Sequence, residues 1–382
     1  MFHKSPARYP SHDGMGAPGT IRIIKLLFGL LGSGALGCAG DRPPTVYNHA
    51  GLEGGLLRSG DAGPPRYNVL LFILDGAGPA QLQAARLVKQ APLHFDRFPT
   101  HVLMSTEAAG GVVSDSGAAA TAIATGHKVT PYTLGVALPG NGRPLVTALE
   151  LRQRTGAPVG VATVDTPLVD ATPSAFVAHQ ASRFDQAGVA ADYLRGTRPD
   201  LMAGGASFEL GRVQAETAGY ISIDSEAEMA VRSPGADHVA WLFDVTRPRL
   251  PELTRAALGF MSRGKAGFFL LVETEATDTH GHANNLDGVV AAILELDEAV
   301  AEAMVWMGNR TDTLIIVTSD HETGGLVLDA STDASTDVNL PSHHYTTTSH
   351  TAIPVDVFAT GAAHESVLRV SDNTHLFGIL AP

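Results

Sequence analysis

The chain alternates between short runs of uninterrupted apolar residues and longer stretches in which apolar positions recur every three or four residues. Runs of the first kind occupy 68–74, 158–164, 268–272, 313–318 and 355–359. At that length, with no polar alternation, they read as strands buried on both faces. Stretches of the second kind, at 78–88, 116–125, 146–154 and 286–307, read as helices, the last of them long and amphipathic. Strands alternating with helices predict an α/β fold with a central, mostly parallel sheet flanked by helices on both faces. Ligands of such sheets bind beyond the carboxyl ends of the strands. Residues 184–266 form the longest span without a recognisable motif, and any accessory structure is expected there.

The predicted strand ends are acidic. Asp75 closes the first strand, Glu273 follows the strand at 268–272, and Asp320-His321 follow the strand at 313–318. Three acidic strand ends on one rim repel one another unless cations sit between them. Stability alone gives no reason for that pattern, and a metal site does. Asp278 and His282 are spaced so that one helical turn closes both on a single ion. His350 offers a third imidazole, and Asp and His donors without Cys suit zinc in a catalytic setting. His280, His343 and His344 are alternative donors nearby, while Glu275 and Glu322 read as solvated groups or neighbours of the ligands.

Ser116 opens the small-residue helix 116–125, where unpaired backbone N–H groups and the positive helix end favour an oxyanion or a phosphate. Two readings stand for the Asp115-Ser116 pair: Ser116 as a nucleophile, or either residue as a simple helix cap.

The formal charge of −13 becomes −16 when residues 1–37, with Lys4, Arg8, Arg22, Lys25 and Asp13, are removed. No basic run remains, which argues against nucleic acid as a partner. Within 1–37, Arg22 and Lys25 flank a short apolar run, followed by small residues, as in a secretory signal peptide. Cys38 is the only cysteine, so no intramolecular disulfide forms. Its place after Ala35-Leu36-Gly37 resembles a bacterial lipoprotein signal with a lipid anchor on Cys38; ordinary cleavage nearby is the other reading. Either reading predicts a periplasmic or secreted protein. Residues 38–66 then form a flexible tether and 67–382 the catalytic domain.

Taken together, the motifs resemble those of the alkaline phosphatases from about residue 67 to residue 377. Asp75-Gly76, Val113 to Thr121 around Ser116, Asp170-Ala171-Thr172-Pro173 with Ser182-Arg183, the Glu273, Asp278 and His282 segment, Asp320-His321 and Ser349-His350-Thr351 occur in the family's order. The resemblance implies two zinc ions, one on Asp278, His282 and His350 and the other on Asp75, Asp320 and His321 with Ser116 Oγ. It implies one magnesium ion on Asp75, Thr172 and Glu273, with Asp170 supporting its waters, and Arg183 gripping phosphate. Small phosphomonoesters would be hydrolysed through a phosphoserine on Ser116. A homodimer is also compatible with the family. Three divalent ions with Arg183 exceed the carboxylates Asp75, Asp170, Glu273, Asp278 and Asp320 by two formal charges, which matches a monoester dianion. Thr279 departs from the Lys, His or Trp of many members, and Ser114 from a common Thr. The rival readings are a phosphodiesterase or transferase of the same superfamily, and a silent phosphate- or metal-binding protein.

Overall fold

Every residue of strand β1 (Asn68–Leu74) is buried, because helices cover both faces of the sheet in which it lies. Val69, Leu71 and Ile73 enter one core, and Leu70, Phe72 and Leu74 enter the other. That alternation follows from the two-residue period of a strand. The computed structural model describes residues 67–244, 246–263, 267–329 and 340–382; the expected signal peptide, the expected tether and Cys38 lie outside the described residues.

After β1 come α1 (Pro79–Lys89), β2 (Thr100–Met104), α2 (Ser116–Thr125), α3 (Ala148–Arg154) and β3 (Val159–Pro167). The next span holds α4 (Gln186–Arg195), β4 (Leu201–Gly205), α5 (Arg212–Thr217), β5 (Ile221–Ser222), α6 (Glu226–Arg232), β6 (Val239–Phe243) and α7 (Leu250–Met261). The last part holds β7 (Phe269–Thr274), α8 (Ala276–His282), α9 (Leu286–Met307), β8 (Thr313–Thr318), β9 (Glu322–Thr323) and β10 (Leu326–Leu328). It closes with β11 (His343–Tyr345), β12 (His350–Thr351), β13 (Val355–Gly361) and α10 (Phe377–Leu380).

The main sheet has nine strands in the order β2-β13-β8-β1-β7-β3-β4-β6-β5. Its pairings are parallel except those of β13 with β8 and β2. One face packs on α1, α7 and α9, and the other on α2, α3, α4 and α10. The predicted α/β sheet covered on both faces is therefore present. Among the described residues, no helix is long and apolar enough to cross a membrane.

One expectation needs correction, the placing of Glu273, and two others are made more definite. The span 184–266 is no separate accessory structure: β4, β5 and β6 extend the main sheet at one edge. Glu273 lies inside β7 instead of following it, paired in register with Ile73 of β1 and Thr163 of β3. The late strand at 355–361 runs against its neighbours, and the unpredicted β2 completes the sheet beside it. β2 escapes a hydrophobic reading because it is an edge strand with His101 and Leu103 exposed.

The topology sets the site. β1, β7 and β8 are adjacent and parallel, so their carboxyl ends emerge together. Gly76, at φ 76°, then turns the chain hard against α8; a Cβ there would sit 2.8 Å from Asp278 Cα. The antiparallel pairing of β12 with β9 sets His350 opposite Thr323 and so beside the Asp320-His321 turn.

Candidate active site

Helix α2 reads SGAAATAIAT, and every residue of it is buried. Only side chains this small let the helix backbone approach its neighbours so closely. Asp115 is its N-cap and accepts from Gly117 N at 3.0 Å and Ala118 N at 3.3 Å. The cap reading therefore holds for Asp115, and it leaves Ser116 as the first helical residue with its hydroxyl free for other work. Ser116 Oγ lies 3.2 Å from His321 Nε2. It lines a cavity of about 710 Å³ shared with Asp115, Arg183, Glu275, Asp278, His282 and His350.

Donor atoms converge beside that hydroxyl in three groups. In the first, His282 Nε2 lies 3.2 Å from Asp278 Oδ2, His350 Nε2 lies 3.4 Å from Asp278 Oδ1, and the two imidazole nitrogens are 3.1 Å apart. Helix α8 supplies the turn that the Asp278 and His282 spacing predicts. His321, stacked on His350 with ring centroids 3.8 Å apart, also reaches this group. The second comprises Asp75, Asp320 and His321, all fully buried, with His321 Nε2 3.6 Å from Asp75 Oδ1 and 3.3 Å from Asp320 Oδ2. The third comprises Asp75, Glu273 and Glu275. In the groups Asp278-His321-His350, Asp75-Asp320-His321 and Asp75-Glu273-Glu275, the donor atoms lie within 4.8 Å of one another.

These groups fit divalent cations. Asp75 Oδ1 and Glu273 Oε1 are buried and lack any hydrogen-bond partner among the described residues, a costly state for a carboxylate with nothing to compensate it. Burial first, and then neighbouring carboxylates, push both groups well above the usual carboxylate range. Burial holds His321 below the ordinary imidazole value, which suits a neutral ligand. Asp278 behaves oppositely: against the cost of burial, hydrogen bonds from His282 and His350 keep it well below the usual range. Its hydrogen bond in turn raises His282 to about 9. Mixed Asp and His donors suit zinc, and the all-oxygen third group suits a hard cation such as magnesium.

Not every expected ligand joins a group. Thr172 Oγ1 donates to Asp75 Oδ2 at 2.9 Å and to Asp320 Oδ2 at 3.1 Å, so it links two carboxylates of the second group. Asp170 belongs to none of the three; its Oδ1 accepts from Arg183 Nη2 at 2.6 Å. Arg183 Nη1 donates to Asp115 Oδ2 at 3.1 Å, so the guanidinium is braced from both sides while its Nε stays unpartnered. His280, His343 and His344 lie outside all three groups and hydrogen-bond elsewhere.

Sequence reasoning missed several contributors. Asp115 holds Arg183 as well as capping α2. Thr163, Thr277 and Thr323 donate to Glu273, to the Asp75 carbonyl and to Asp278 respectively. Glu275 is part of the site and not a solvated flank, and with Asp115 it adds two carboxylates to the pocket. The formal surplus of two positive charges thereby disappears, and charge balance no longer selects a monoester. Glu322 is buried rather than solvated. It accepts from Gln81 Nε2 at 2.5 Å, from Gly325 N and Leu326 N at 3.2 Å each, and from Thr351 Oγ1. It thus ties β12, and His350 with it, to the β9 turn. Glu322→Ala is expected to cost about 3 kcal/mol in urea unfolding, because it strips four donors of one buried acceptor.

A family model described as alkaline phosphatase matches residues 66–207 and 233–338. Alkaline phosphatase 4 of Bacillus subtilis is 28% identical over 294 residues, covering 69% of this chain and 63% of that protein. The chain thus spans less than two thirds of that relative's length. The streptomycin-6-phosphate phosphatase of Streptomyces griseus is 30% identical, covering 84% of this chain and 90% of that protein. Among solved structures, the alkaline phosphatase of the Antarctic bacterium TAB5 superposes with a TM-score of 0.74 at 26% identity, covering 83% of this chain and 96% of that one. A variant of the TAB5 enzyme, solved with Mg bound in its M3 site, gives a TM-score of 0.73 at 26% identity over the same shares of the two chains. By a family match across most of its length, carried on a sheet whose strand ends gather these acidic and histidine donors, the chain belongs to the alkaline phosphatase family.

Proposed function

We propose that the chain is a metal-dependent phosphomonoesterase with Ser116 as nucleophile. The observation that carries this reading is the placing of Ser116 Oγ in one cavity with Arg183 and the Asp278, His282 and His350 donors, 3.2 Å from a buried imidazole. Two zinc ions would be held by Asp278, His282 and His350 and by Asp75, Asp320 and His321. One magnesium ion would be held by Asp75, Glu273 and Thr172, whose hydroxyl here bonds to Asp75, with Asp170 supporting its waters. When bound, such ions favour the ionised serine and offset charge on the entering and leaving oxygens.

The chain's own groups do the rest. Gly117 N–H and Ala118 N–H are taken by Asp115, so the start of α2 favours negative charge beside Ser116 through the helix dipole. Ser116 gives up its hydroxyl proton, Oγ attacks phosphorus, a phosphorus–oxygen bond forms, and the bond to the alcohol breaks, with the alcohol oxygen taking up one proton so that none is gained or lost overall. Water then attacks the phosphoserine, the Ser116 bond breaks, and inorganic phosphate leaves with the serine regenerated. Arg183, braced by Asp115 and Asp170, holds its fork for the phosphate oxygens before substrate arrives. The relatives' names support phosphate ester hydrolysis, and magnesium in the TAB5 variant supports the third cation.

The test is the ratio of kcat/KM for an aryl phosphate monoester to that for the matching diester. A large ratio in favour of the monoester is expected, and a ratio below one would overturn the reading. Arg183→Ala is expected to weaken inhibition by inorganic phosphate roughly 10- to 100-fold, in line with ~1.5–3 kcal/mol for hydrogen bonds to charged groups, while leaving measurable turnover. Complete inactivity with unchanged phosphate binding would assign Arg183 a different role.

A further inference from the structure

Position 275 is where this chain places a carboxylate that its role as a flanking residue does not explain. Glu273 lies in β7, in register with Ile73 of β1 and Thr163 of β3. Glu275 has already left the strand: it precedes α8 with helical angles, φ −79° and ψ −21°, and its side chain caps nothing. One oxygen of Glu275 lies within 4.8 Å of oxygens of Asp75 and Glu273. Three carboxylates here each keep a buried, unpartnered oxygen: Asp75 Oδ1, Glu273 Oε1 and Glu275 Oε2. Asp75 and Glu273 are themselves fully buried. Arg183 relieves Glu275 only in part: its charge acts against burial and the neighbouring carboxylates, but its hydrogen bonds go to Asp115, Asp170 and the Ala171 carbonyl and none goes to Glu275. Thr279, further along α8, is uncharged. Three carboxylates gathered in this way must take up protons if the group is empty, and only a cation among them lets all three stay ionised together.

We propose that Glu275 is a direct ligand of the cation held by Asp75 and Glu273, so that this chain grips that cation with three carboxylates. The inference rests on the reading that a divalent cation occupies the Asp75 and Glu273 group, and it adds to that reading a ligand and a consequence. Affinity of an oxygen site for a hard cation rises with the number of charged ligands. Removing one of three is therefore felt in affinity before anything else, on the 10- to 100-fold scale typical when a group supporting a metal is lost.

The experiment uses the full chain loaded with zinc and then titrated with manganese, the free ion being followed by its paramagnetic resonance. Magnesium competition is read in the same titration. Wild type is expected to take up one further ion per chain. Glu275→Gln, which keeps the shape and removes the charge, is expected to bind that ion at least about tenfold more weakly. Glu275→Asp is expected to fall between the two, and zinc content and near-ultraviolet circular dichroism report that each variant is folded and loaded. Equal manganese affinity in wild type and Glu275→Gln would overturn the role of Glu275 while leaving the third cation in place. Unchanged manganese affinity together with tighter phosphate inhibition would instead mean that Glu275 acts against the anion beside Arg183, which also overturns it. A wild-type chain that binds no ion beyond zinc would remove both the inference and the reading beneath it.

Discussion

Ser116→Ala is expected to lower aryl phosphate hydrolysis by at least about a thousandfold while leaving the fold and the bound metal in place. The substitution removes one oxygen from a helix already composed of Gly, Ala, Thr and Ile, so packing around α2 has little to lose. Asp115 still caps the helix through Gly117 N and Ala118 N. The six side chains of the first two donor groups, Asp75, Asp278, His282, Asp320, His321 and His350, are untouched, and so is the Arg183 brace. Only the atom that would carry the phosphoryl group is gone. The comparison is a steady-state assay beside elemental analysis of the same preparation. Retained activity at full metal content would transfer the nucleophile's role elsewhere and end the phosphoserine mechanism. Lost activity with lost metal would mean that the serine was holding the site together.

Stripping the metal with EDTA is expected to abolish activity, which zinc then restores, and to lower the melting temperature by roughly 10 °C or more, because buried carboxylates lose their counter-charge. The loss has a predictable pH dependence. Burial raises Asp75, Glu273 and Glu275 above the unfolded values near ~4, so the folded stripped chain holds protons that the unfolded chain has released. Stability therefore falls as pH rises. His282, raised to about 9 by its hydrogen bond with Asp278, acts in the same direction: its contribution is complete below the unfolded value near ~6.5 and is lost as pH approaches 9. His321, held neutral by burial, matters only below that unfolded value. Between about pH 6.5 and about pH 8.5 the stripped chain should become steadily less stable, because each carboxyl that stays protonated in the folded state, together with His282, adds to the slope. The metal-loaded chain should lack that slope. Urea unfolding at several pH values, with and without EDTA, measures both. A stripped chain as stable at the upper limit as at the lower would show that the carboxylates are not held together as described.

Much of the site is legible in the chain because its chemistry rides on local order. Asp75, Asp320 and His321 follow apolar runs whose strand character is plain, and Asp278 and His282 lie one helical turn apart. Ser116 begins a helix whose limits, Ser116 and Thr125, can be read from composition alone. β4, β5 and β6 are harder to see. They are short, only two to five residues each, and extend the sheet where packing across strands, more than local pattern, decides the outcome. Glu275 and Glu322 are harder still. A carboxylate beside a ligand in sequence is usually solvated, and nothing local says which way it turns.

Residue order along the chain determined the class of fold, the rim on which the donors gather and the identity of most of them, since period, strand ends and helical spacing are local properties. Tertiary structure alone decided that β12 pairs with β9 to deliver His350, that Asp115 and Asp170 brace Arg183 from two separate loops, and that Glu275 turns in toward Asp75 while Glu322 disappears into a clamp. Those outcomes depend on segments tens to hundreds of residues apart meeting across a sheet. Burial and mutual charge then set what each carboxylate does, and neither quantity exists until the chain has folded.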